Sequence, residues 1–182
     1  NFGNICAGIL AHHRGLPVEH FIAACNVNDV VPEYLRTEIL QPKETVATIS
    51  NAMDVGDPSN FVRILELFDK EFNQVKNKLS GYTIDDEETL KTIERVEKDY
   101  GYVLDPHGAV AFVALEKYLT ENDGKGFFLE TAHPVKFPDS VEQATGKSVE
   151  IPKSLEELMK QGKFTTEINP QYEELKEFLL KK

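Results

Sequence analysis

Tryptophan is absent, and cysteine and methionine occur only twice each. Two cysteines, Cys6 and Cys25, are too few for a disulfide framework and lack metal-ligand spacing, so free thiols in a reducing compartment are expected. Both sit in apolar stretches and read as core residues rather than reactive thiols. Positive charge is also scarce: 20 Lys and Arg stand against 31 Asp and Glu, a formal net charge of −11. That field repels phosphate backbones and anionic headgroups, so neither nucleic acid nor a membrane surface is an expected partner. No apolar run approaches the roughly 18 residues needed to span a bilayer, and no basic segment leads into an apolar one at the N-terminus. The expected location is the cytoplasm. The histidines, His12, His13, His20, His107 and His133, show no ligand spacing, and no metal site is expected.

What is present is ordinary globular composition: 41% hydrophobic and 28% charged residues, with 11 glycines and 9 prolines. At about 150 residues per domain, 182 residues allow one domain, or one and a piece of another. The chain opens at Asn1 rather than at methionine, directly inside a ligand-type loop, and is expected to be a fragment.

Periodicity and punctuation supply the organisation. Asn1-Phe2-Gly3-Asn4 is a glycine-containing turn running into a helix of small and apolar residues that ends at Gly15. The run His20-Phe21-Ile22-Ala23-Ala24-Cys25 predicts a strand buried on both faces. From Asn26 to Pro58 the chain reads as a long irregular loop with one short helix near residues 32–38, and such loops are more often functional than ornamental. Helices follow behind Pro58-Ser59-Asn60, with Phe61, Ile64, Leu65, Leu67 and Phe68 on one stripe, and behind Asp85, Asp86, Glu87 and Glu88, whose carboxylates read as a helix cap. Pro106-His107-Gly108 begins a third helix. Residues 126–130, Gly-Phe-Phe-Leu-Glu, predict a second buried strand, and Thr131-Ala132-His133-Pro134 turns out of it towards a helix from about Pro138 to Thr145. The remainder, with Leu155, Leu158 and Met159 and then Tyr172, Leu175, Phe178 and Leu179, reads as helical with a charged exterior. The fold class is a helix-rich α/β arrangement whose two strands look incomplete, since an isolated strand pair seldom supports a core of this size.

Three places could carry chemistry. Backbone amides around Phe2, Gly3, Asn4 and Ile5 at the positive end of a helix form an anion cradle, although an ordinary capped turn explains the same residues. Thr131 follows a predicted strand, where open α/β sheets bind ligands, and its neutral hydroxyl suits an aromatic ring nitrogen that stays unprotonated; a turn cap is the alternative. Asn26-Val27-Asn28-Asp29 follows the first strand in the same way, and Asx turns explain it equally well. His133 reads equally as a satisfied hydrogen bonder, and Lys136 as a solvated lysine.

Taken in order, Asn1-Phe2-Gly3-Asn4, Phe21-Ile22-Ala23-Ala24 leading to Asn26-Val27-Asn28-Asp29, Ser50-Asn51-Ala52-Met53-Asp54-Val55 with Pro58-Ser59-Asn60, Pro106-His107-Gly108-Ala109-Val110-Ala111, and Thr131-Ala132-His133-Pro134-Val135-Lys136-Phe137 resemble the threonine synthase family over nearly the whole chain. The family consists of fold type II pyridoxal 5′-phosphate enzymes, of tryptophan synthase β-like architecture, that convert O-phospho-L-homoserine and water to L-threonine and phosphate. The resemblance is to the C-terminal part. It implies that residues 1–182 comprise part of the cofactor-binding α/β domain plus C-terminal helices, and that Asn1, Phe2, Gly3 and Asn4 form most of the cofactor phosphate loop, without its usual upstream Ser-Gly. It further implies that Thr131 meets the pyridine nitrogen, and that Asn28, Asp29, Asn51 and Lys136 are merely near the site. None of the 16 lysines lies in a cofactor-facing motif. The family's catalytic lysine belongs to an N-terminal half that is missing here, so the isolated chain is expected to be inactive and to self-associate or need that half. A phospholyase of the same family, and a stand-alone phosphometabolite- or partner-binding module without catalysis, are the alternatives.

Overall fold

The computed structural model describes residues 1–162 and 164–181; Lys163 and Lys182, within the predicted helical remainder, lie outside them. Residues Asn1–Val149 form one unit and residues from Glu150 onwards a second.

The first unit is built on two parallel strands, β1 (Phe21–Cys25) and β2 (Leu79–Thr83), in the register Phe21 to Leu79, Ala23 to Gly81 and Cys25 to Thr83. The connection between them runs through α2 (Val30–Thr37), a long loop, α3 (Phe61–Leu67) and α4 (Phe72–Lys78). Before β1 comes α1 (Gly3–His13); after β2 come α5 (Asp86–Tyr100), α6 (Pro106–Glu121) and α7 (Pro138–Thr145).

Side chains alternate across the strands, so each sheet face meets its own helices. On one face Ala23 and Leu79 pack with Ile9 of α1, Val31, Tyr34 and Leu35 of α2, Phe61 and Ile64 of α3, and Val75 of α4. On the other, Ala24 and Tyr82 pack against Val110 and Val113 of α6. A further cluster, Ile93, Val96, Leu104 and Ala109, joins α5 to α6. The acidic run is a cap: the Asp85 carboxylate accepts from Glu88 N–H at 2.8 Å.

Two expectations about strands are corrected. Strand β1 is buried at Ala23 and Cys25, while Phe21, Ile22 and Ala24 are half-buried, so it is not covered on both faces throughout. Residues 126–130 form no strand: they run as irregular backbone, with Phe127 73% and Leu129 52% exposed, and Phe128 alone of the three large apolar side chains turns inward against Phe112. The second strand is β2, a segment not among the strands expected from the sequence. Its glycine serves close packing: a Cβ at Gly81 would stand 2.8 Å from Pro32 Cα, so only glycine lets α2 cross the strand at this distance.

The second unit carries α8 (Lys153–Met159) and α9 (Tyr172–Leu180). The expected helices are there, but α9 has no buried residue; Tyr172, Leu175, Phe178 and Leu179 are all exposed.

Candidate functional site

Helix α1 starts without a side-chain cap. Phe2 adopts the left-handed conformation at φ 58°, and the first amide to bond back into the helix is that of Cys6, to Phe2 C=O at 3.0 Å. The amides of Gly3, Asn4 and Ile5 precede it, at the positive end of an 11-residue helix whose first residues are exposed. This turn is tied down from the start of α3: Ser59 Oγ donates to Asn1 Oδ1 and Asn60 Nδ2 to Asn1 C=O, each at 3.0 Å, while Phe2 packs on Phe61.

The same turn lies at the carboxyl end of β1. Burial pushes the Cys25 thiol up to about 12, Asp29 adds to the rise, and the nearby Asn1 amino group opposes it. A thiol so raised is no nucleophile at neutral pH.

Beyond Cys25 the chain turns into a buried polar network. Asn26 Nδ2 donates to Thr48 Oγ1 and Asp54 Oδ1, each at 2.8 Å, and to Ser50 Oγ at 3.0 Å; Asn28 Nδ2 donates to Val46 C=O at 2.9 Å. Asp54 also takes Thr48 N–H and Thr48 Oγ1. Paired so fully, these residues pin the long loop to the end of the sheet instead of pointing at a ligand.

That loop then hands on to the start of α6. Ala52 N–H donates to His107 Nε2 at 3.1 Å, which makes the imidazole its neutral Nδ1–H tautomer, and Nδ1 donates to Asp105 Oδ1 at 2.6 Å. Asp105, fully buried, also caps α6 by accepting His107 N–H at 2.9 Å. Its own amide donates to Glu130 Oε1 at 3.3 Å, and Thr131 follows with its side chain exposed. Hydrogen bonds therefore run from the end of β1 to Ser50 and, across the backbone step from Ser50 to Ala52, through His107 and Asp105 to the residue before Thr131.

The model of the family described as threonine synthase, C-terminal, matches residues 108–179. Threonine synthase from Buchnera aphidicola subsp. Schizaphis graminum is 44% identical over 184 residues, spanning 100% of this chain and 42% of that protein. The crystal structure of threonine synthase from Escherichia coli superposes with a TM-score of 0.87 at 42% identity, over 99% of this chain and 41% of that one. The chain belongs to the threonine synthase family. A PLP-bound threonine synthase from Brucella melitensis gives a TM-score of 0.85 at 29% identity, over 98% of this chain and 44% of that one. The helix-rich α/β fold is thus a partial one, about two fifths of the length of the threonine synthases it matches.

Within this threonine synthase segment, Asn1, Phe2, Gly3 and Asn4 form one turn at the carboxyl end of the sheet. Among the described residues no hydrogen bond joins Thr131 to that turn; the polar network leads towards Thr131 from the end of β1. His133 caps the short turn Pro134–Lys136 by accepting Val135 N–H, Lys136 is exposed, and Asp29 pairs with Lys43 at 2.8 Å. Among the described residues no lysine is buried. Sequence reasoning missed Asp105 and Glu130. Asp-Pro-His is a recognisable helix start, but nothing local ties it to a glutamate 25 residues further along.

Proposed function

We propose that this chain is the C-terminal segment of a cytoplasmic threonine synthase, a pyridoxal 5′-phosphate-dependent lyase that converts O-phospho-L-homoserine and water to L-threonine and phosphate. Its share is the cofactor phosphate loop, Asn1, Phe2, Gly3 and Asn4, and the pyridine-nitrogen contact, Thr131. The observation that carries the reading is the uncapped, exposed start of α1, held by Ser59 and Asn60 at the carboxyl end of the sheet.

The residues fit such a group. Three amides converge at a helix N-terminus where a phosphate's charge is favoured, and a Cβ at Gly3 would meet only Asn60 Nδ2 at 3.8 Å, so the backbone stands open to close approach. A threonine hydroxyl donates to a ring nitrogen without protonating it, which the Thr131 side chain, exposed and unoccupied by a local cap, is free to do. When bound, pyridoxal 5′-phosphate supplies an electron sink for the substrate carbons. The chain's own residues hold the cofactor's two ends. The lysine that moves protons in this family comes from the N-terminal half, the chain's essential partner, so the isolated chain binds at most half a site and self-associates through apolar surface.

The test is product analysis. The intact protein carrying this chain releases threonine and phosphate in equal amounts from O-phospho-L-homoserine when loaded with pyridoxal 5′-phosphate, and residues 1–182 alone release neither. Phosphate without threonine would move the reading to a phospholyase of the same family. Turnover by residues 1–182 alone would refute the half-site.

A further inference from the structure

Asp105, buried, and Glu130, half-buried with its Oε2 shut away from solvent, form an acid pair that the function above does not use. The Glu130 carboxyl fills the space a side chain at position 108 would occupy: a Cβ on Gly108 would lie 2.0 Å from Oε2. Glu130 Oε1 takes the Asp105 amide, and Asp105 Oδ1 takes both His107 N–H and Nδ1–H. Two oxygens remain, Asp105 Oδ2 and Glu130 Oε2, both buried and neither receiving a donor. With both groups ionised, this arrangement would set two like charges together with orphaned acceptors; one proton between them satisfies both oxygens.

Burial, reinforced by Asp105, raises the Glu130 carboxyl to about 8. Burial pushes Asp105 up too, but hydrogen bonds from His107 and Glu130 outweigh it and the net displacement is downward. The proton therefore belongs to Glu130. The other titratable groups facing the pair are His107 and Tyr102, whose phenol is raised by burial and then by the two acids.

The geometry points to Glu130 as a positioning residue: as a neutral acid hydrogen-bonded to Asp105 over the bare Cα of Gly108, it fixes the backbone from which Thr131 presents its hydroxyl. The inference rests on the proposed role of Thr131. Its reach is one peptide bond; in the segment before it Phe127 and Leu129 are exposed, and the packed residue, Phe128 on Phe112, stands two positions further back and carries no polar anchor.

Glu130→Gln and Glu130→Ala in the intact protein test this. Gln keeps a donor for Asp105 Oδ2 and an acceptor for the Asp105 amide but cannot titrate. Hydrogen exchange of amides 131–137 is followed between pH 6 and pH 9 without cofactor, corrected for intrinsic rates, and the absorption of bound pyridoxal 5′-phosphate is followed over the same range. In the wild type, protection falls roughly tenfold per pH unit once Glu130 loses its proton above about 8, and the absorption changes with it. Glu130→Gln stays protected and flat with pH, and Glu130→Ala is unprotected throughout. Protection unchanged in Glu130→Ala, or the same pH dependence in Glu130→Gln as in the wild type, overturns the proposal. Wild-type protein that shows the exchange pattern but binds no pyridoxal 5′-phosphate would instead sink the reading of Thr131 and leave the acid pair as an anchor alone.

Discussion

At residues 1–4 the candidate site is held from outside, by neutral hydrogen bonds from Ser59 and Asn60 to an exposed turn. At Thr131 it is held from beneath, by an acid pair whose facing oxygens are buried and by a histidine. The first end presents amides already aligned by a helix, so it needs little beyond a tether. The second has no helix or strand behind it, since residues 126–130 lack regular structure, and its position depends on side chains. A ligand bound across both would meet one end set by the helix and one set by a proton.

The comparison is broken most severely at Asp105. Replacing it with alanine removes the α6 cap, the partner of His107 and the carboxyl that faces Glu130 Oε2 together, leaving Glu130 only the backbone amide of residue 105. Unfolding of the intact protein in urea should show a loss of about 3 kcal/mol, with α6 and the 131–137 segment loosened together. A loss below about 1 kcal/mol would mean that the acid pair anchors nothing. Next in size is Gly108→Ala. The new methyl lies where Glu130 Oε2 sits, so the carboxyl must leave; a loss of about 2 kcal/mol is expected. Because this variant keeps both acids, it separates position from charge: exchange at 131–137 should rise as in Glu130→Ala although Glu130 is still present.

The unequal construction also decides what could be read in advance. The loop at residues 1–4 is local, a glycine turn entering a helix, and its chemistry is visible in four consecutive residues. Helices with caps and stripes, such as α5 behind Asp85 and α7 from Pro138 to Thr145, are local too. Strand β2 was hidden because Gly81 marks the crossing of α2, a tertiary fact, while Phe127, Phe128 and Leu129 have strand-like composition but no neighbouring strand to pair with. The Asp105 and Glu130 pair was illegible for the same reason: each residue alone is an ordinary surface acid, and only folding brings them together. In α9 the apolar stripe was legible, and its exposure was not.

The smallest expected effect falls on the outer end and has two signs. Gly3→Asp places a carboxylate in the first turn of α1, which carries no acid, where it interacts favourably with the helix dipole. No wall opposes it, since a Cβ there meets only Asn60 Nδ2 at 3.8 Å. Stability should rise by about 0.5 kcal/mol while affinity for pyridoxal 5′-phosphate falls at least about tenfold, because the new charge repels the phosphate the amides would hold. Gly3→Ala gains a similar helix preference without the charge. If both variants lose affinity equally, the cradle is limited by space; if only the aspartate does, by charge. A Gly3→Asp protein that is more stable and binds pyridoxal 5′-phosphate as tightly as before would leave residues 1–4 as a helix start and nothing more.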